Sequence, residues 1–214
     1  RAEEAGGAPP GCGHEAKAMS SDETSYRTRP FEANDSRSGF RCGKHSLDDY
    51  FRRHAERNES LGIGRTFVLA REAEDADLPT VLGYYTLSMA LVRADEVEDH
   101  FAGKLPRYPL PVALIGRLAV DERARGRRLG EALLLDALAR VVHASHLVGC
   151  VGVIVDALDG EAAAFYEAYD FEPTAGDGWP RRMFLPLATI EEALDPTSSD
   201  GGGGKRTDGR GEDR

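Results

Sequence analysis

Arg123, Arg125, Gly126, Arg127, Arg128 and Gly130 crowd cationic and flexible positions into one short stretch between an apolar run and an amphipathic one. A helix start leaves backbone N–H groups without internal partners and carries the positive end of the helix dipole. Guanidinium groups beside such amides make chemistry for an anion, above all a phosphate. An ordinary connection with solvated arginines is the alternative. The complete strand, turn and helix context favours a ligand site.

Other reactive side chains are scattered. His143 and His146 have a spacing that neighbours on a helix could share, yet neither has a nearby carboxylate or cysteine, so they read as surface residues and no metal is expected. Cys12, Cys42 and Cys150 are odd in number and far apart, which points to unpaired thiols.

The elements that must position the basic turn are legible on both sides. Val112–Ile115 and Leu118–Val120 form a nearly continuous apolar run, as in a strand covered on both faces. Leu129, Leu133, Leu134, Ala137, Leu138, Val141 and Val142 recur at helical spacing, with Glu131, Asp136 and Arg140 turned away. Upstream, Ser46 to Asn58 reads as a helix capped by Ser46, with Asp48 and Asp49 in its first turn and Leu47, Tyr50, Phe51 and Ala55 as its stripe. Thr66–Ala70 and Val81–Val92 read as an antiparallel hairpin across an acidic loop, Glu72 to Pro79. Asp95 to Phe101 reads as a short helix, and Pro106, Pro109 and Pro111 argue against regular structure there. Downstream, Cys150–Asp156 is a second buried strand, parallel to the first through a right-handed crossover. A helix opened near Asp159 runs through Glu161–Tyr169, followed by Phe171 to Pro173 and Arg182 to Leu187. The expected fold is α/β, a mixed sheet of six or seven strands, antiparallel at its start and parallel in its centre, flanked by helices.

Composition sets the outer limits. With 214 residues, 41% of them hydrophobic, the chain holds one substantial core. Residues 1–28 and 191–214 are polar, Gly-rich and aperiodic, and both read as disordered around a domain spanning 29–190. No run approaches the ~18–20 apolar residues of a membrane span, so a soluble cytoplasmic protein is expected. The net charge is −10. An acidic body disfavours generic nucleic-acid backbone binding but leaves a local basic patch free to act.

With these residues in place, the chain resembles the GNAT-type N-acetyltransferases over roughly residues 29–190. The family's turn, Gln/Arg-x-x-Gly-x-Gly/Ala, corresponds to Arg125-Gly-Arg-Arg-Leu-Gly130, with Arg128 where the middle glycine stands. A second motif, Phe-Tyr-x-x-x-Gly-Phe, corresponds to Phe165–Phe171 with Asp170 at the glycine. The resemblance implies acetyl-CoA as co-substrate, its pyrophosphate on the amides of Arg127 to Gly130. Arg125, Gly126, Arg127, Arg128, Leu129 and Gly130 would form the cofactor turn, and the main chain of Leu118 and Val120 would pair with the pantetheine arm. An amine would attack the thioester directly, and Tyr166 would protonate the departing thiolate; the amine's proton would need a base, for which Glu122, Asp156 and Glu161 are the acidic candidates, unranked by the sequence.

Phe40-x-Cys-Gly-x-x-Ser-Leu-Asp-x-Tyr-Phe, Asn58, Gly64–Val68 and Gly116–Val120 are more narrowly similar to the acetyltransferase toxins of toxin–antitoxin pairs. That likeness implies the α-amine of a charged tRNA as acceptor, a ribbon-helix-helix antitoxin as partner, and Arg65 and Arg117 as substrate contacts. Ion pairing at the sheet edge is the competing role for the two arginines. A small-molecule or peptide amine as acceptor, a non-catalytic acyl-CoA-binding module, and assembly as a homodimer remain open from the residues.

Overall fold

A computed structural model describes residues 26–195 except 36, 72–79, 102, 104 and 175–177. The acidic loop Glu72 to Pro79, Cys12 and most of the two expected disordered ends therefore lie outside the described residues.

The chain enters as strand β1 (Tyr26–Pro30), passes through helices α1 (His45–Asp49) and α2 (Ala55–Ser60), joined by a π-helical turn at Tyr50–His54, and forms β2 (Arg65–Arg71) and β3 (Val81–Val92). After 3-10 turns at Ala94–Glu96 and Glu98–His100 come β4 (Leu110–Val120), α3 (Leu129–Ser145), β5 (Gly152–Ala157) and α4 (Gly160–Glu167). The chain closes with β6 (Glu172–Pro173), β7 (Arg181–Pro186) and α5 (Leu187–Leu194). The strands make one seven-stranded sheet in the order β1-β2-β3-β4-β5-β7-β6. Among the described residues only β4 and β5 pair in parallel, as the connecting helix between them requires.

Several expectations are corrected. β1 begins at Tyr26, inside the segment read as disordered, because its backbone pairs with β2 over its whole length. At the other end, Ile190, 2% exposed, pins α5 to the core, and the helix runs past residue 190 to Leu194. Ser46 does not cap its helix. Lys44 holds that position without a side-chain bond, and Asp48 turns inward to accept the Cys42 amide at 2.7 Å. The expected helix at Asp95–Phe101 is reduced to the two 3-10 turns. Pro111 is part of β4, opposite Leu91, and its carbonyl accepts the Val151 amide. A proline near a strand start costs little because its missing N–H need not serve the ladder.

Leu129, Leu133, Leu134, Ala137, Leu138 and Val141 bury the inner side of α3 against one face of the sheet, and α4 and α5 share that core. The opposite face carries two separate clusters. Helices α1 and α2 cover an aromatic group in which the Phe51 and Tyr84 rings stack at 4.5 Å. The segment after β3 covers Val92, Val112, Ile154 and Phe184 at the other end.

The site depends on how β4 crosses this sheet. In its pairing with β3, Thr86 faces Arg117 and Leu87 faces Ile115, so Gly116 is a surplus residue, a β-bulge. Ala113 and Ile115, then Leu118 and Val120, face the α3 core, whereas Arg117 and Ala119 lie toward α1 and α2. A bulge bends its strand. The parallel pairing with β5 is confined to Ala113, Leu114 and Ile115, opposite Val153, Ile154 and Val155. Beyond Ile115 the two strands part.

Candidate active site

The parting leaves Gly116 to Val120 with β3 on one edge and no strand on the other. The amide of Asp121 donates to Leu82 on the β3 side. Strand alternation then turns the N–H and C=O groups of Leu118 and Val120 toward the open edge. An extended, amide-containing chain laid there would find a strand's hydrogen-bonding pattern.

The basic turn hangs from Asp121. Its carboxylate, 0% exposed, accepts the Arg41 amide at 2.9 Å, the Arg123 amide at 3.0 Å and the Arg123 guanidinium at 2.8 Å. Burial alone would raise the pKa of this acid; the Arg123 side chain and the two amides outweigh it and hold the carboxyl below the usual range. Asp121 is absent from the candidates that spacing suggests, since its only signal in the sequence is an acid at the end of an apolar run.

The arginines of the turn are mostly engaged within the protein. Arg123 also donates to the Gly39 carbonyl, Arg125 donates to the Cys42 carbonyl, and Arg128 grips Glu131 through two bonds. Arg127 alone of the group has no ion pair among the described residues. By contrast, the amides from Gly126 through Glu131 have no acceptor there, the first helical bond being Ala132 to Arg128. The anion site is therefore built chiefly from backbone, with cations around it.

Arg128 takes the left-handed backbone, φ 57°, and Asp170 does the same at φ 62°. Both replacements for the family glycines thus keep the glycine conformation. The Arg128 side chain is 82% exposed and pairs with Glu131, and both residues border the cavity beside the turn. Glycine at 128 removes the left-handed penalty. R128G is accordingly expected to raise the thermal midpoint while leaving coenzyme A affinity nearly unchanged; an affinity loss of about tenfold or more in calorimetric titration would mean the guanidinium holds the ligand.

A cavity of about 340 Å³ adjoins the turn, bounded by Val120, Arg125, Gly126, Leu129, Gly130, Phe165 and Tyr169. A Cβ built on Gly130 would meet Phe165 at 3.7 Å, ordinary contact, which explains physically why alanine fits the same place in the family pattern. Tyr166 lies deeper. Its ring packs at 5.2 Å from Phe165 and 5.4 Å from Phe171, and it is 7% exposed. Burial alone raises its pKa far above the ordinary tyrosine value, so the hydroxyl keeps its proton at neutral pH.

The three acidic candidates occupy different settings. Asp156 is tied to Arg182 at 2.9 Å, Glu122 is exposed beside Arg125, and Glu161 is exposed in the first turn of α4. Arg65 sits at the start of β2, an inner strand, with its guanidinium on Glu59 at 2.9 Å. Arg117 has no ion pair among the described residues and lies 3.7 Å above the Tyr50 ring, on the α1 side of the bulge. Lys44, at the start of α1, reaches Asp159 at 2.7 Å, joining the lip beside β4 to the start of α4 after β5. Asp159 also caps α4 by accepting the Ala162 amide.

A strand edge open to an extended arm, a turn of free amides for an anion, and a buried proton-bearing tyrosine nearby form an arrangement suited to acyl transfer from a phosphate-bearing thioester. The acetyltransferase (GNAT) family model matches residues 36–171, and the chain belongs to that family. Its sequence is 39% identical over 138 residues to a tRNA-acetylating toxin of Mycobacterium tuberculosis (strain ATCC 25618 / H37Rv), covering 64% of this chain and 79% of that protein. The structure of AtaT complexed with acetyl-methionyl-tRNAfMet superposes with a TM-score of 0.70 at 27% identity, covering 80% of this chain and all of the other (100%). A tyrosine-to-phenylalanine variant of the toxin AtaT, bound to acetyl-CoA and the C-terminus of the antitoxin AtaR, gives a TM-score of 0.65 at 27% identity, covering 79% and 98%.

Proposed function

We propose that this acetyltransferase moves the acetyl group of acetyl-CoA onto the α-amine of an amino acid charged on tRNA, and that it acts as the toxin of a toxin–antitoxin pair. The observation that carries the acceptor is the 39% identity to a tRNA-acetylating toxin across most of that protein's length. The amides from Gly126 to Gly130 would hold the pyrophosphate, with Arg127 adding charge. Main-chain groups of Leu118 and Val120 would pair with the pantetheine amides. Arg125 contributes its place in the turn, since its side chain already serves the Cys42 carbonyl.

The amine nitrogen forms its bond to the thioester carbon as the carbon–sulfur bond breaks, and Tyr166 gives its proton to the leaving thiolate. The amine's own proton passes to water and a proton from water restores the Tyr166 phenol, since none of the three acids has a setting that singles it out as the base. Arg117 is the acceptor-side cation. The same likeness leads us to a ribbon-helix-helix antitoxin as partner, as AtaT binds AtaR. No helix among the described residues is long and apolar enough to cross a membrane, and we place the activity in the cytoplasm, where charged tRNA is used.

The deciding experiment supplies the purified protein with acetyl-CoA and a pool of charged tRNAs, then identifies N-acetylated aminoacyl ends by mass spectrometry. Acetylated charged tRNA, together with growth arrest on induction, is the expected result. Acetylation confined to free amines or peptides would replace this acceptor, and no transfer to any amine would leave a binding module.

A further inference from the structure

Trp179 is the only tryptophan of the chain and is 51% exposed. It stands just before β7, whose first residue, Arg181, pairs with Ala157, the last residue of β5. The ring is therefore carried at the end of β5 from which the chain runs on to Asp159 and Lys44 bridges back. Trp179 stands on the β7 side of β5, at the same end of the sheet toward which the opening between β4 and β5 widens.

The Arg181 guanidinium lies 5.0 Å from the Trp179 ring centroid. Its Nε is sealed from solvent and has no hydrogen-bond partner among the described residues. A cation held against one side of an indole keeps the ring in place and leaves its exposed side for another flat π-system. Unpaired nucleobases are the ligands that such a platform takes regardless of sequence, because every base presents a π-face.

We infer that Trp179, backed by Arg181, is a stacking platform for an unpaired base at the 3′ end of the RNA acceptor. The inference rests on the aminoacyl-tRNA reading above and assigns the part of the acceptor that lies outside the reacting amine. It also gives an acidic protein a way to hold RNA that does not depend on many phosphate contacts, so binding through this platform should resist salt better than backbone binding does.

The single tryptophan makes the test direct. Titrating the wild-type protein with an RNA minihelix ending in an unpaired 3′ overhang should quench tryptophan emission in a saturable way, while a blunt-ended duplex of equal charge should not. W179A should raise the KM for charged tRNA about tenfold to a hundredfold, with W179F recovering most of the loss, and the KM for acetyl-CoA and the thermal midpoint should stay near wild type. Acetylation of charged tRNA without quenching, or with an unchanged KM in W179A, would overturn the platform and leave the function standing. Absence of any acetylation of charged tRNA by the wild-type protein would remove the aminoacyl-tRNA reading itself, and the platform with it.

Discussion

Replacing Tyr166 with phenylalanine should lower kcat by about a hundredfold to ten-thousandfold, the usual contribution of a positioned general acid, with little change in acetyl-CoA affinity. The substitution removes one oxygen and keeps the ring that packs between Phe165 and Phe171, so the thermal midpoint should hold. A fall in turnover without a fall in stability separates a proton donor from a core aromatic. Because burial keeps the phenol protonated well beyond neutral pH, the wild-type rate should show no loss of this acid across the physiological range. Single-turnover measurements in which Y166F transfers acetyl at the wild-type rate would end its catalytic assignment.

The second large effect is on folding. Removing the Asp121 carboxylate leaves the Arg41 and Arg123 amides without their acceptor, and D121A should cost about 3 kcal/mol or more in chemical denaturation. The same residue gives stability an acid limb. Its folded pKa is depressed, so its contribution is complete above the unfolded carboxylate value of ~3.9 and is lost as pH falls through the lower folded value. D121N should flatten that limb. If the acid limb of denaturation is the same in D121N and wild type, the buried carboxylate is not what acid attacks. Since Asp121 suspends the turn from the end of β4, D121A should also weaken coenzyme A binding at temperatures where the protein remains folded.

Local pattern determines what can be read in the sequence. Val81–Val92 and the α3 stripe are set by periodicity, and they fall where the pattern puts them. The turn is recognisable because its residue types are unusual, yet those types mislead about its chemistry. Four arginines suggest a guanidinium cluster, while Arg123, Arg125 and Arg128 direct their charges to Asp121, the Cys42 carbonyl and Glu131. The Arg125 bond to Cys42 joins residues 83 positions apart and leaves no local trace, whereas the Arg123 and Arg128 pairings lie within three residues. β1 is hidden for a similar reason: Tyr-Arg-Thr-Arg-Pro has weak strand character alone and becomes a strand by pairing with β2. The Leu187–Leu194 helix does have an apolar spacing, at Leu187, Ile190 and Leu194, but it is submerged in the polar character of the tail that follows. Tyr166 is placed by its motif, and its buried, proton-holding state needs the surrounding fold.

Gly116 is, in strand terms, an insertion. Deleting it would let β4 run straight while leaving Ala113, Ile115, Leu118 and Val120 on their present side, since the bulge adds a residue without exchanging the faces. The shortened strand could then zip further along β5, making a more regular sheet whose free edge is closed by its own neighbour. A protein with that deletion should melt no earlier than wild type and take up no acyl donor in calorimetric titration. The capacity to react is kept in one supernumerary position, and regularity is what the fold gives up to hold it.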